Sequence, residues 1–316
     1  MSRSALAAGL VAVGLWGLAP VATRAAVGHL SPLPMLTIRM LIAALLLAPW
    51  AGPALRGRTA RQAGRLAAAG LLGLVGYNLP VAVGLQWLPA APAGLLLATE
   101  PVWVLLIGRV FLAERGGVRP WIGSAVALAG VAALAGPQAF AASTRGGYHA
   151  LAGMAAVLAA AMAFGAYTIV LRPLSAELGA VPATAASAVA GTLPYLALSP
   201  LLTRAGLGHL DAAAWAEIAF LAVGSTAAGM LLWNVAVLAG GASRVSTLLY
   251  LEPVISVLGA AIFLRERPGP ATIGGGLLIL AGVAIASVRV TPPGSGSPRR
   301  LAARRRPPEG NGQRQG

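Results

Sequence analysis

The sequence predicts an all-α integral membrane protein of ten transmembrane helices, arranged as two five-helix repeats of opposite orientation with both termini in the cytoplasm. Three observations predict it: the composition, the spacing of apolar blocks, and a run of rare residues that recurs in register. Of the 316 residues, 58% are hydrophobic and only 10% are charged, with a mean hydropathy of +0.80. A soluble domain carries about 25% charged residues, so this composition cannot clothe a water-exposed surface.

A hydrocarbon core of roughly 30 Å takes about 20 apolar residues to cross at 1.5 Å each. Blocks of that length fall at 5–27, 33–50, 66–87, 91–112, 119–137, 149–171, 182–203, 213–238, 243–264 and 270–290. Short stretches with charge, Pro or Gly separate them. The first block resembles a signal peptide. It runs past 20 residues, contains Trp16, Pro20 and Arg24, and leads straight into another apolar block, so it is expected as a retained helix.

Arginine placement sets the orientation. Arg56, Arg58, Arg61 and Arg65 form the densest cluster before the tail, and putting their loop in the cytoplasm puts both termini there. Arg3, Arg115, Arg119, Arg172 and Arg244 then join the inner side, with Arg24 and Arg39 near outer helix ends. The tail from Thr291 is rich in Pro, Gly and Arg without apolar periodicity, and reads as disordered. Arg299, Arg300, Arg304, Arg305 and Arg306 there suit anionic lipid head groups rather than nucleic acid.

The chain also matches itself. Residues 96–131 align without a gap on 248–283, at an offset of 152. Glu100 meets Glu252, Pro101 meets Pro253, Glu114-Arg115 meets Glu266-Arg267, and Gly123 and Gly130 meet Gly275 and Gly282. Upstream the offset is 148, pairing Gly17 with Gly165, Arg24 with Arg172 and Arg39 with Ser187. Apolar helices resemble one another by chance, but rare residues in register do not. The halves are expected at 1–137 and 149–290, joined by an outer linker at 138–148 and followed by the tail at 291–316. Five helices per half invert the second half, and such halves can exchange inward-open and outward-open arrangements around one central site.

The same residues carry a family resemblance. The chain resembles the ten-helix EamA family of the drug/metabolite transporter superfamily, from Leu6 to about Val288. The likeness is strongest at Leu97–Val102, in the Phe-Leu-x-Glu-Arg segments at 111–115 and 263–267, in the Ala-Gly-Val ends, at Trp16-Gly17 and at Arg39. The resemblance implies secondary transport of a small metabolite, amino-acid-like or drug-like, across a bacterial inner membrane, usually outward.

Composition removes several alternatives. All 23 basic residues are Arg and Cys is absent. There is consequently no Walker A lysine, no Schiff base, no thiolate and no sulfur-ligated metal. Only His29, His149 and His209 exist, too scattered for a metal motif. No catalytic residue, metal or cofactor is expected. An uncoupled facilitator or importer is the alternative, and a structural or receptor-like membrane protein a more distant one.

Glu100 and Glu252 lie near mid-membrane, where a carboxylate costs about 2.5–3.5 kcal/mol or more. Pro101 and Pro253 remove the donors that would satisfy the carbonyls of Leu97 and Leu249, breaking each helix beside its Glu. Arg39 sits at a similar depth to Glu100, so an ion pair is expected there. Its repeat partner, Ser187, leaves Glu252 without an equivalent cation and makes Glu252 the expected titrating group. Further pathway candidates are Asn78, Gln86, Tyr167, Trp233, Asn234, Tyr250, Trp16 and Trp103, with interhelical bonding as the structural alternative for the amides and hydroxyls. Protons are the candidate coupling ion. The repeated glycines read as close helix packing, within one protomer or in a homodimer.

Overall fold

The computed structural model describes residues 3–112, 118–145, 148–204, 207–240 and 246–287. Glu114, Arg115, Arg244 and the tail from Thr291 lie outside the described residues, as do the side chains of Pro101, Thr247 and Tyr250. Among the described residues the regular structure is helical throughout, with no strand.

Helix α1 (Arg3–His29) and α2 (Pro32–Leu55) form the first hairpin. With 27 residues, α1 is about 40 Å long and long enough to cross a bilayer. Pro32 opens α2, where a missing N–H costs nothing, and Pro49 and Pro53 precede its end. Gly57, at φ 64°, reverses the chain. Thr59 and Gln62 then form a capping box that starts α3 (Ala60–Gly84). The register of α3 widens to a π-helix over Leu71–Gly76.

The fourth expected span is two helices, α4 (Ala90–Leu97) and α5 (Glu100–Leu112). Helix α6 (Arg119–Arg145) follows, then α7 (His149–Leu178), which Gly179 at φ 88° separates from α8 (Ala180–Ala197). The seventh expected span is shorter than its apolar block. Beyond Pro194 the chain tightens into a 3-10 turn, Ser199–Arg204. Helix α9 (212–240) starts at Asp211, whose Oδ1 accepts from the Ala214 amide at 2.8 Å, and is π-helical over Phe220–Ala228. The ninth expected span is a 3-10 segment, Ser246–Leu251, joined to α10 (Glu252–Phe263), because Pro253 fits a first helical turn but not a helix interior. Helix α11 (Pro270–Ser287) ends the described chain.

Six helical runs among the described residues are long and apolar enough to cross a membrane: Arg3–His29, Pro32–Leu55, Ala60–Gly84, Ala90–Gly108, His149–Leu178 and Ala212–Ala236. Shorter apolar helices cover Trp121–Pro137, Glu252–Phe263 and Pro270–Ile285. The exposed apolar side chains, Leu45, Ile262, Phe263 and Leu277 among them, are what a helix presents to lipid tails.

Packing interleaves the early and late helices. Helix α1 lies on α9 and α10, α7 lies on α3 and α5, α2 lies on α8, and α6 lies on α11. Small residues allow these approaches. A Cβ on Gly130 would meet the Gly275 carbonyl at 2.7 Å and the Ile279 amide at 2.6 Å; one on Gly282 would meet the Gly123 carbonyl at 2.6 Å and the Ala127 amide at 2.3 Å. The two contact sets map onto each other by the offset of 152. Likewise Gly17 abuts Ile255 as Gly165 abuts Trp103. The repeated glycines of α6 and α11 thus supply close contacts within one chain.

Candidate functional site

The centre of the molecule forms where two helices start inside the bundle. Helix α4 ends at Leu97, the chain makes one tight turn in which Thr99 N–H donates to Leu96 O at 3.1 Å, and α5 starts at Glu100. Helix α10 starts in the same manner at Glu252. Each carboxylate thus sits in the first turn of a half-helix, at the positive end of its dipole. The two are close enough to interact electrostatically. Tyr77 is a hydrogen-bonding neighbour of Glu100 and also lies in the field of Glu252.

Aromatic rings cluster in two groups among the surrounding helices. Trp16 and Trp233 are 5.3 Å apart between centroids, and the Trp16 indole donates to Ser225 O at 2.9 Å. Tyr77, Phe164 and Tyr167 form a chain with centroid separations of 5.5 and 5.8 Å. Tyr167 lies near the hydroxyls of Ser187 and Thr184, and its ring covers Gly73 so closely that a Cβ there would clash at 2.8 Å. Trp103 donates to Thr99 Oγ1 at 3.2 Å, inside its own helix-break turn.

Arg39 corrects the sequence-based pairing. Its Nε donates to Thr226 Oγ1 at 3.1 Å, and Thr226 in turn donates to Leu221 O at 2.9 Å across the π-helical turn. The ion pairs among the described residues are His29–Glu217 and Arg58–Glu177, both at 4.0 Å, so Arg39 and Glu100 do not form one. Similar depth brought them to the same level, but α2 faces α8 and the π-helical part of α9. Tyr77 and Tyr195 are the other polar groups near the guanidinium.

The remaining candidates divide. Asn78 is buried and donates to Gly73 O at 3.1 Å; Asn234 donates to Met230 O at 2.8 Å. Both amides thereby satisfy their own helix backbone. Gln86 is exposed beyond the end of α3, away from this centre. Thr226, Tyr195 and Phe164 belong to the site and gave no signal in the sequence, because a lone hydroxyl or ring in an apolar block has no diagnostic spacing.

The arrangement has two carboxyl groups, one guanidinium and aromatic faces at the meeting of broken helices. These are the parts of a polar centre inside an apolar helical bundle.

Comparison with known proteins agrees. The sequence profile of the EamA-like transporter family matches residues 3–136 and again 151–288. A protein of Streptantibioticus cattleyicolor named a probable terminal-alkyne amino-acid exporter is 32% identical over 252 residues, 79% of this chain and 82% of that one. A probable amino-acid metabolite efflux pump of Salmonella typhimurium is 27% identical over 303 residues, 90% of this chain and 95% of that one. An uncharacterized transporter of Archaeoglobus fulgidus is 28% identical over 275 residues, covering 86% of this chain and 95% of that one. One crystal structure superposes with a TM-score of 0.60 at 24% identity over 90% of this chain and 98% of that one, a likeness of fold alone. By these measures and by its helical, apolar architecture, the chain belongs to the EamA-like transporter family of multi-pass membrane transporters.

Proposed function

We propose that this protein exports a small amino-acid-like metabolite across a bacterial inner membrane by alternating access, coupled to protons. The observation that carries the reading is the convergence of Glu100 and Glu252, two residues related by the offset of 152, at the starts of two mid-membrane half-helices. A carboxylate at that depth is costly unless it does work on cargo or protons. In this reading Glu252 carries the proton. Glu100, bonded to Tyr77, is the fixed partner that meets the cargo's cationic end.

Further support comes from the architecture. The family profile matches twice, and the α6–α11 glycine contacts map onto each other by the same offset. Both are expected of two five-helix halves in opposite orientation, ten helices in all, with both termini on the Arg-rich cytoplasmic side. Inverted halves of this kind rock around a central site. The relatives named as an exporter and as an efflux pump support this direction and cargo class. The Arg-rich tail is then on the side where anionic lipid head groups attract it.

Purified protein in vesicles, loaded with a panel of amino acids and their analogues, tests the reading. Export of at least one should accelerate under an imposed proton gradient directed against it, and Glu252→Gln should make export insensitive to that gradient. A gradient response undiminished in Glu252→Gln would overturn the coupling role. Cargo movement equal with and without the gradient in the native protein would favour a facilitator.

A further inference from the structure

Alternating helix directions put the α3–α4 connection on the face opposite the Arg56–Arg65 loop. Two charged side chains grip that connection. Arg24 of α1 donates through Nη1 to the carbonyls of Leu85 at 2.5 Å and Gln86 at 2.9 Å, where α3 runs out. Glu266, between α10 and α11, accepts from the Ala90 amide at 2.8 Å and the Ala91 amide at 3.0 Å, where α4 begins. Each charge has the sign the helix end favours. Pro89, at the cap position of α4, provides no side-chain cap, so Glu266 supplies it from outside. Arg24 and Glu266 also border one surface hollow of about 410 Å³ with Gly28, Pro89 and Leu264.

The route by which Glu266 gets there is strained. Helix α10 ends with Leu264 N–H and Glu266 N–H both donating to Ala260 O at 3.1 Å. That turn needs a left-handed residue, usually Gly. Here it is Arg265, at φ 55°. The turn aims Glu266 across the seam between α10 and α4. Beneath it the seam is shut: Ser256 Oγ donates to Ala90 O at 3.4 Å, and Gly94 lies so close that a Cβ would meet the Ser256 Cβ at 2.5 Å.

We propose that Glu266 is a latch that holds the α4–α10 seam closed on this face, and that its release from the Ala90 and Ala91 amides is the step that opens the path outward. The inference rests on the alternating-access reading. Ala90 and Ala91 are buried, but their bonds to Glu266 lie at the edge of the surface hollow, so water that enters as the seam parts replaces the carboxylate without leaving a polar group stranded. Arg24 keeps its hold on the end of α3 throughout and preserves the strike against which the latch closes.

The native absence of Cys makes the test direct. Ser256→Cys is a near-isosteric reporter that lies buried below the latch. Full-length protein in right-side-out and inside-out vesicles is exposed to a membrane-impermeant maleimide. Adding Glu266→Gln to the reporter should raise labelling from outside by about tenfold or more, the scale of a lost charged hydrogen bond. Ala91→Pro, which deletes one of the two donors at a first-turn position that tolerates proline, should raise it in the same direction without touching Glu266. Labelling unchanged in both variants, or raised only from the inner side, overturns the latch. The readout needs no cargo. Faster labelling in a protein that moves no solute would sustain the latch and sink the transport reading instead.

Discussion

The α6–α11 pair and the central site are built from the same duplicated sequence and have opposite characters. Between α6 and α11, each contact has its counterpart 152 residues away, Gly130 on Gly275 and Ile279 mirroring Gly282 on Gly123 and Ala127. At the centre the counterparts differ: Arg39 stands where the other half has Ser187, and Trp16 where it has Phe164. Backbone packing tolerates no added atoms and keeps both copies alike. In the proposed reading the shared part of the two halves is a frame, and their differences are what recognises an asymmetric cargo.

The sharpest way to break the frame is through adjacent glycines of α11. A Cβ on Gly275 would sit 2.8 Å from the Gly130 carbonyl, whereas one on Gly274 meets nothing within 4 Å. Gly275→Ala is expected to destabilise by about 1–3 kcal/mol and Gly282→Leu by more. Gly274→Ala should be neutral or slightly stabilising through helix propensity, by up to about 1 kcal/mol. Thermal unfolding in detergent measures all three, and equal shifts for Gly274 and Gly275 would show that backbone contact is not what holds α6 to α11.

At the centre the expected effects run from a stability loss of similar size down to a smaller one that is read in transport. Thr226→Val removes the acceptor of the buried Arg39 and should cost about 1–3 kcal/mol, read in the same melt. Tyr77→Phe keeps the ring stack with Phe164 and removes the hydroxyl beside Glu100. It should lower stability by about 1 kcal/mol or less and transport about fivefold. A Tyr77→Phe protein with native rates at every pH would remove this hydroxyl from the recognition set.

Much of the frame was legible because its signals are one-dimensional. Apolar block length located the long helices, proline positions located the breaks before Glu100 and Glu252, and rare residues in register located the partner glycines. Azimuth was not legible. Depth along a helix placed Arg39 level with Glu100, but which way α2 turns its arginine depends on the helices it packs against, and these were α8 and α9. Gln86 illustrates a related point: two turns past Asn78 is already beyond the end of α3, so the two do not share one helix face. The π-helical segments Leu71–Gly76 and Phe220–Ala228 had no signature in the apolar runs that form them. Trp16 and Trp233, by contrast, were singled out for depth alone, and the fold brings them into contact.

The partners of Glu266 are main-chain amides, and this has a consequence for how such a protein can change over time. Two side chains that bond each other must be exchanged together, and their pairing leaves a correlated trace among related sequences. A carboxylate bonded to peptide nitrogens has no such counterpart. Ala90 and Ala91 can drift to any residue that keeps its N–H and fits the space, while the bond persists unaltered. Methods that infer contacts from correlated substitution will therefore be blind to this one. The connection between α3 and α4 is free to diversify around a closure whose chemistry it never has to relearn.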